Sequence, residues 1–224
     1  MTGGTGGLGS AVVARLLDDG WRVVVPWVVE SELERVGKRD GLELIQADLF
    51  DPDAVKQVVS LGVGEAGAPL RGVVNLVGGF AVGPRVDETP IEDFEKQFRL
   101  NLRPTYLMVQ AAVPQMIEAG GGSVVCVGTR AALQPFKGAA GYISSKAAVI
   151  AFATAVAVEY KDDGIRCNTV LPSVIDTPAN RASMPKADHD RWVAPAEIAA
   201  VIAFLLGSDS APTSGAAIPV YGRA

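Results

Sequence analysis

Apolar residues in this chain gather in short, nearly unbroken runs. Between the runs lie longer stretches in which apolar residues recur every three or four positions. The runs, rich in Val, Ile and Leu, fall at residues 22–25, 42–45, 72–77, 123–127, 165–171 and 217–220. Continuous rather than alternating apolar character predicts strands covered on both faces, as in a parallel sheet with crossover helices. The stretches at 8–19, 51–60, 90–119, 142–161 and 195–206 predict helices. Strand–helix alternation along the whole chain predicts an α/β fold: a doubly wound, Rossmann-like parallel sheet in three α/β/α layers with right-handed crossovers.

Local signals refine these elements. Asp51-Pro52 puts a cap residue before a proline at the first helical position. Thr89-Pro90 repeats the device, with Glu92 and Asp93 at the positive end of the helix dipole. Gly20 and Gly120 follow helical patterns as C-terminal stops. The helix at 90–119 contains Pro104 and Pro114 and is expected to bend at one or both. A doubly wound sheet that binds a dinucleotide normally feeds its first strand straight into a glycine loop. Here the glycine loop starts at residue 2, with no strand pattern before it.

Composition narrows the class. A chain of 224 residues that is 49% hydrophobic and 20% charged is globular, and a single domain over residues 1–224 is expected. With 20 Lys+Arg against 25 Asp+Glu the net charge is −5, which argues against a nucleic-acid partner. Cys126 and Cys167 sit in apolar runs and are expected to be reduced and buried, as in a cytoplasmic protein. Two Cys and one His leave no ligand cluster for a metal. The longest low-polarity stretch, 147–158, is shorter than the roughly 20 residues needed to span a bilayer. No signal-peptide pattern opens the chain, so no membrane partner is expected. The 25 glycines exceed average usage of roughly 7% and cluster at 3–9, 62–83, 120–128 and 138–141, at the ends of apolar runs.

Candidate chemistry lies in three places. Thr2-Gly3-Gly4-Thr5-Gly6-Gly7-Leu8-Gly9 leads into an apolar helix. Glycines there allow a tight turn and let the backbone approach a pyrophosphate resting on the helix N-terminus. Asp48, after the strand at 42–45, suits either hydrogen bonding to an adenine amino group or capping of the helix at 51–60. Tyr142 and Lys146, four apart, share one helix face, where an ammonium would favour the phenolate and suit proton transfer to a substrate oxygen. Such a pair is by itself more often a surface contact. Thr129, thirteen residues upstream, Asn101 and the strand-end Asn75 supply further polar groups.

With these residues in this order the chain resembles the single-domain short-chain dehydrogenase/reductase family over essentially its whole length. TGGTGGLG stands for the family's TGxxxGxG, NLVG for NNAG, YISSK for YxxxK, and Pro172-Ser173-Val174-Ile175-Asp176-Thr177 for PGxIxT. The resemblance implies an oxidoreductase that transfers hydride between NAD or NADP and a small-molecule carbonyl/alcohol substrate. Tyr142 would be the general acid/base, and Lys146 would bind the nicotinamide ribose and lower the Tyr142 pKa. Asn101 would hold a relay water, and Thr129 would orient the carbonyl. Gly3, Gly7 and Gly9 would cradle the pyrophosphate, with Thr5, Leu8, Trp27, Asp48, Leu49, Asn75, Gly78 and Pro172 completing the cofactor side. Ile175 and Thr177 would contact the carboxamide. Residues 176–194 would form a substrate lid, and the helices at 90–119 and 142–161 would mediate a homodimer or homotetramer.

Departures from the family pattern qualify this. Thr129 stands where Ser is usual, keeping the hydroxyl but adding a stiffening methyl. Leu76 and Ser173 replace an Asn and a Gly. At the end of the second family strand Trp27 offers no carboxylate for the ribose. Arg22 and Arg35 are not placed by sequence to meet a 2′-phosphate, so NAD and NADP both remain open. His189 reads as an exposed loop residue. Arg103 and Arg130 adjoin site residues and suit an anionic substrate or a structural role equally. The family's first strand is missing, which would expose strand edges on both its neighbours. The expectation is that coding begins upstream, with a GTG valine codon read as Met1; a stop codon directly before codon 1 would overturn this. The other reading is a shorter protein that closes the gap or fills it from another chain, as a catalytically weak dinucleotide-binding scaffold.

Overall fold

The structure, a computed structural model, describes residues 1–65 and 67–223. In chain order its elements are α1 (Gly9–Asp18), β1 (Val23–Trp27), β2 (Leu42–Gln46), α2 (Pro52–Val63), β3 (Gly72–Asn75), α3 (Ile91–Asn101) and α4 (Arg103–Glu118). These are followed by β4 (Gly122–Val127), α5 (Ala140–Glu159), β5 (Ile165–Pro172), α6 (Pro178–Ser183), α7 (Pro195–Leu206) and β6 (Ala217–Val220). All strand pairs are parallel, and helices cover both faces. Successive residues of β4 point to opposite layers. Val124 and Cys126 join a core with Val55, Met108 and Val149, beneath α2, α4 and α5. Val125 and Val127 join the other core with Val12, Leu16 and Ile202, beneath α1 and α7. The expected three-layer α/β/α, Rossmann-like arrangement is present.

The sheet is split. β1 pairs with β2, and β3–β4–β5–β6 form a separate set. Between β1 and β3 is a gap where a doubly wound sheet would place a further strand. Met1 and Thr2 reach into it: Thr2 N donates to Val74 O at 2.8 Å, and the Met1 amine donates to Val24 O at 2.8 Å. Beyond them is a cleft of about 430 Å³ lined by Met1, Trp21, Val23, Val24, Val73 and Val74 among others. Burial lowers the pKa of the Met1 amine to about 5.

Some elements differ from the sequence reading. The single helix at 90–119 is two, with Leu102 between them. Pro104 falls in the first turn of α4, where a missing N–H has no intrahelical acceptor to lose, while its ring blocks continuation from α3. Pro114 lies inside α4 without ending it. Thr89 does not cap α3; its hydroxyl donates to Arg85 O at 2.9 Å, and Pro90 takes the cap position. The third strand ends at Asn75 rather than 77. Asp51 caps α2 as expected, accepting from Asp53 N at 2.9 Å. Helix α5 is longer than its apolar stretch, and its 20 residues are long and apolar enough to cross a membrane by composition. Here its Val149, Ala153 and Val156 are buried in the core.

Candidate active site

The candidate residues lie at the C-terminal ends of β3, β4 and β5, at the start of α1 and on α5. The glycine loop fits its turn for steric reasons. Gly3 has φ +66°, and a side chain at Gly9 would overlap the carbonyl of Gly3. Helix α1 begins at Gly9 with Leu8 at its cap position, and no side chain bonds to its first N–H groups. Such an end accepts an anion. Gly7 is exposed, and a Cβ there would sit 3.0 Å from Thr177 Cγ2, so the loop meets the base of the 176–194 segment.

Beside the loop the structure adds two residues that the sequence reading did not place. The Thr5 hydroxyl donates to Glu32 at 2.8 Å. Arg35 Nη1 donates to Thr5 O at 3.1 Å and pairs with Glu32 at 3.0 Å. Arg35 is therefore on the glycine loop, because a short 3₁₀ turn over Glu30–Arg35 folds the chain back after β1. The signal in the sequence was the Glu-x-x-Arg spacing just beyond Trp27. Trp27 itself ends β1, half-buried, and its carbonyl accepts from Ala47 N at 3.1 Å. Asp48 does not cap α2; it is exposed and accepts from Phe50 N at 2.9 Å, next to the buried Leu49.

At the end of β3, Asn75 is buried, and its Oδ1 has no hydrogen-bond partner among the described residues. The following turn passes Gly78 so close to Asn101 and Lys146 that a Cβ would lie 2.5 Å from Asn101 Oδ1 and 2.9 Å from Lys146 Nζ. Asn101, the last residue of α3, accepts from Gly79 N at 2.9 Å and donates to Gly79 O at 3.2 Å and Ser145 Oγ at 3.0 Å. Ser145 Oγ in turn donates to Tyr142 O at 2.8 Å. Ser145, inside YISSK, thus ties α3 to α5 and was not singled out from the sequence. Asn101's amide is engaged by Gly79 and Ser145, so here it anchors the loop after β3 to α5.

Tyr142 and Lys146 lie one turn apart on α5, with Thr129 just beyond β4. Lys146 is buried, and its Nζ donates to Val127 O at 2.9 Å. Burial lowers its pKa to about 8. Burial also raises the Tyr142 hydroxyl above its usual range, opposed by a hydrogen bond with Thr129. The expected lowering of Tyr142 by Lys146 is not found, because the ammonium is held on the Val127 carbonyl and desolvation dominates the phenol. Thr129 Oγ1 also accepts from Ala131 N at 3.3 Å, which fixes the following turn.

The remaining candidates divide. Pro172 ends β5, Ile175 forms a bridge with Val193, and Thr177 caps α6 through Asn180 N at 3.2 Å. His189, expected to be an exposed loop residue, is half-buried in a short 3₁₀ turn, its ring tilted against Trp192 at 4.4 Å. Arg103 donates to Phe50 O at 3.3 Å. Arg130 donates to Gln134 at 2.8 Å and lies over the Tyr221 ring at 5.2 Å. Both arginines are thus engaged within the chain. Cys126 and Cys167 are free and buried. No group of three or more His, Cys, Asp or Glu suited to a metal occurs among the described residues. The uncapped helix start, the side-chain-free cradle and the orphan Asn75 oxygen together fit a dinucleotide.

Comparison with known proteins agrees. The short chain dehydrogenase family profile matches residues 1–188. The chain is 30% identical to 2-(R)-hydroxypropyl-CoM dehydrogenase of Xanthobacter autotrophicus, over 99% of this chain and 96% of that protein. It is 31% identical to the 3-oxoacyl-[acyl-carrier-protein] reductase MabA of Mycobacterium tuberculosis, over 99% and 90% of the two chains. A short-chain type dehydrogenase/reductase from Mycobacterium ulcerans shares the fold, with a TM-score of 0.90 at 24% identity, covering 99% of this chain and 87% of that one. The chain therefore belongs to the short-chain dehydrogenases, and it is an NAD(P)-dependent oxidoreductase that interconverts an alcohol and its carbonyl compound.

Proposed function

We propose that residues 1–224 form one catalytic domain in which Tyr142 is the general acid/base. The observation that carries this is the joining of Tyr142, Thr129 and Lys146 at the strand ends, on a helix locked to α3 by the Asn101–Ser145 hydrogen bond of 3.0 Å. Hydride exchange with the substrate carbon is the chemistry that bound NAD(P) supplies. The raised pKa keeps Tyr142 protonated at neutral pH, so its hydroxyl donates to a carbonyl oxygen and yields its proton as alkoxide character develops. In the reverse direction the phenolate accepts the alcohol proton, so alcohol oxidation gains rate as pH rises toward the Tyr142 pKa. Thr129 shares the substrate oxygen and orients it. Lys146, with its amine buried beside Gly78, binds the ribose side of the cofactor. Asn101 and Ser145 position these groups. Gly3, Gly7 and Gly9 hold the pyrophosphate, while Asn75, Gly78, Ile175 and Thr177 line the nicotinamide end.

The same reading makes the protein a cytoplasmic homo-oligomer with no nucleic-acid or membrane partner. Support comes from the buried, reduced cysteines, the net charge of −5, and an apolar face where Tyr106 stacks on Phe152 at 5.7 Å beside Phe98 and Leu102. The intact site favours an enzyme over a scaffold. The test is turnover of the purified chain with NAD(H) and NADP(H) on alcohol and ketone panels. Absence of turnover despite cofactor binding would overturn the catalytic assignment, and a monomer by light scattering would overturn the assembly.

A further inference from the structure

We propose that the substrate of this site carries an apolar ring, which lies on a shelf made by Phe80 and Phe136 beside Tyr142. The proposal rests on the assignment of Tyr142 as acid/base and names the substrate class for that site. Two loops build the shelf, one after β3 and one after the turn that follows β4. The Phe80 ring meets the Tyr142 ring edge-on, with centroids 5.0 Å apart and an interplanar angle of 83°. Phe136 tilts against Phe80 at 6.3 Å. Phe80 stays 66% exposed and Phe136 46%, with Val82 (56%) and Leu133 (58%) open in the same two loops. Exposed apolar surface gathered at a catalytic group marks a ligand surface, whereas scattered exposed apolar residues do not.

The shelf is preformed. Gly83 N donates to Gly138 O at 2.8 Å, fastening one loop to the other. Gly138 has φ +80°, and a Cβ there would fall 2.5 Å from Gly83 O, so the fastening needs glycine at this position. Residues 78–83 and 133–139 hold one charged side chain, Lys137, which is exposed at the rim. The shelf therefore offers aromatic faces and edges rather than polar partners. A ring set on it would gain offset or edge-on contacts while its carbinol oxygen reached the Tyr142 hydroxyl.

The experiment compares kcat/KM for 1-phenylethanol and cyclohexanol with that for 2-propanol, in wild type, Phe80→Ala, Phe136→Ala and Phe136→Leu. The ring alcohols should exceed 2-propanol by at least about tenfold in wild type, the scale of a filled apolar pocket. That ratio should fall about tenfold in both alanine variants, through KM, and less in Phe136→Leu. A variant that loses rate equally on all alcohols keeps the ratio; this outcome assigns Phe80 to supporting Tyr142 and overturns the shelf. If the wild type turns over no alcohol or ketone with either cofactor, the acid/base assignment fails instead. The shelf is then judged by calorimetric binding of acetophenone to the cofactor-loaded chain. Weaker binding in both alanine variants supports it, and unchanged binding overturns it.

Discussion

Two regions of this molecule each bury an amine against a valine carbonyl, and they differ in what surrounds it. At the candidate active site, Lys146 Nζ meets Val127 O at 2.9 Å at the end of β4, a strand paired on both sides. At the seam, the Met1 amine meets Val24 O at 2.8 Å, and behind it β1 and β3 face one another across a cleft. Desolvation depresses both amines, to about 8 and about 5. In the first case Gly78, Asn101 and Ser145 hold the neighbouring backbone in place, and the buried amine is available for chemistry. In the second, one backbone hydrogen bond to each of β1 and β3 stands where a strand would supply several, so burial of the amine brings cost with little structural return. The proposed catalytic groups lie on the closed part of the sheet. The glycine loop that serves them springs from the open part.

The largest effect tests the closed region. Tyr142→Phe should lower turnover by about 10²–10⁴-fold, the usual contribution of a general acid/base. NAD(P) affinity, measured by fluorescence titration, should stay close to wild type. Loss of cofactor binding along with turnover would show that the two regions are not separable.

The second tests the seam. An amine whose folded pKa lies near 5, below its ordinary 8.0, leaves the unfolded chain binding more protons between those values. Stability of the 224-residue chain should therefore rise as pH goes from 5 to 8, by an amount on the order of a few kcal/mol. N-acetylation should flatten this rise, because the amide still donates to Val24 O but no longer titrates. Placing a short run of apolar β-branched residues ahead of Met1 should raise Tm further by pairing the edges of β1 and β3. Identical melting curves for free, acetylated and extended chains would remove the contrast between the regions.

A smaller effect belongs to the loop that joins them. Glu32→Gln removes the carboxylate beside Thr5 and should raise the NADP-over-NAD ratio of kcat/KM, whereas Arg35→Ala should lower it, each by roughly three- to tenfold. Ratios that move the other way, or not at all, would place the adenosine away from this pair. The smallest change expected is Thr129→Ser, which keeps the hydroxyl and should alter kcat by less than about threefold. A larger drop would mean that the methyl, packed in a buried position, holds the turn before Arg130.

Much of this was legible in the residues. Continuous Val and Ile runs gave the parallel strands, since only strands buried on both faces tolerate them, and Asp51-Pro52 gave the start of α2. Glycines at 3, 7 and 9 with YISSK marked the two halves of the proposed site through the family resemblance, since a Tyr-xxx-Lys spacing taken alone is more often a surface contact. Other features were not local. The helix at 90–119 breaks at Leu102 because the Pro104 ring blocks continuation from α3, and the pattern of apolar residues alone does not show which of Pro104 and Pro114 ends it. Arg35 reaches Thr5 across 30 positions of sequence, and Asn101 reaches Ser145 across 44.

By itself the sequence determined the class of fold, the glycine loop before α1 and the helix that carries YISSK, all of which depend on short-range periodicity and steric type. Only the tertiary structure decided the charge state and the surface. It buried Lys146 on a backbone carbonyl, raised Tyr142 through desolvation, brought Glu32 and Arg35 to the glycine loop, and left Phe80 and Phe136 open beside the reactive hydroxyl. Solvation and proximity are properties of packed neighbours, and which neighbours a residue acquires is settled only when distant segments meet.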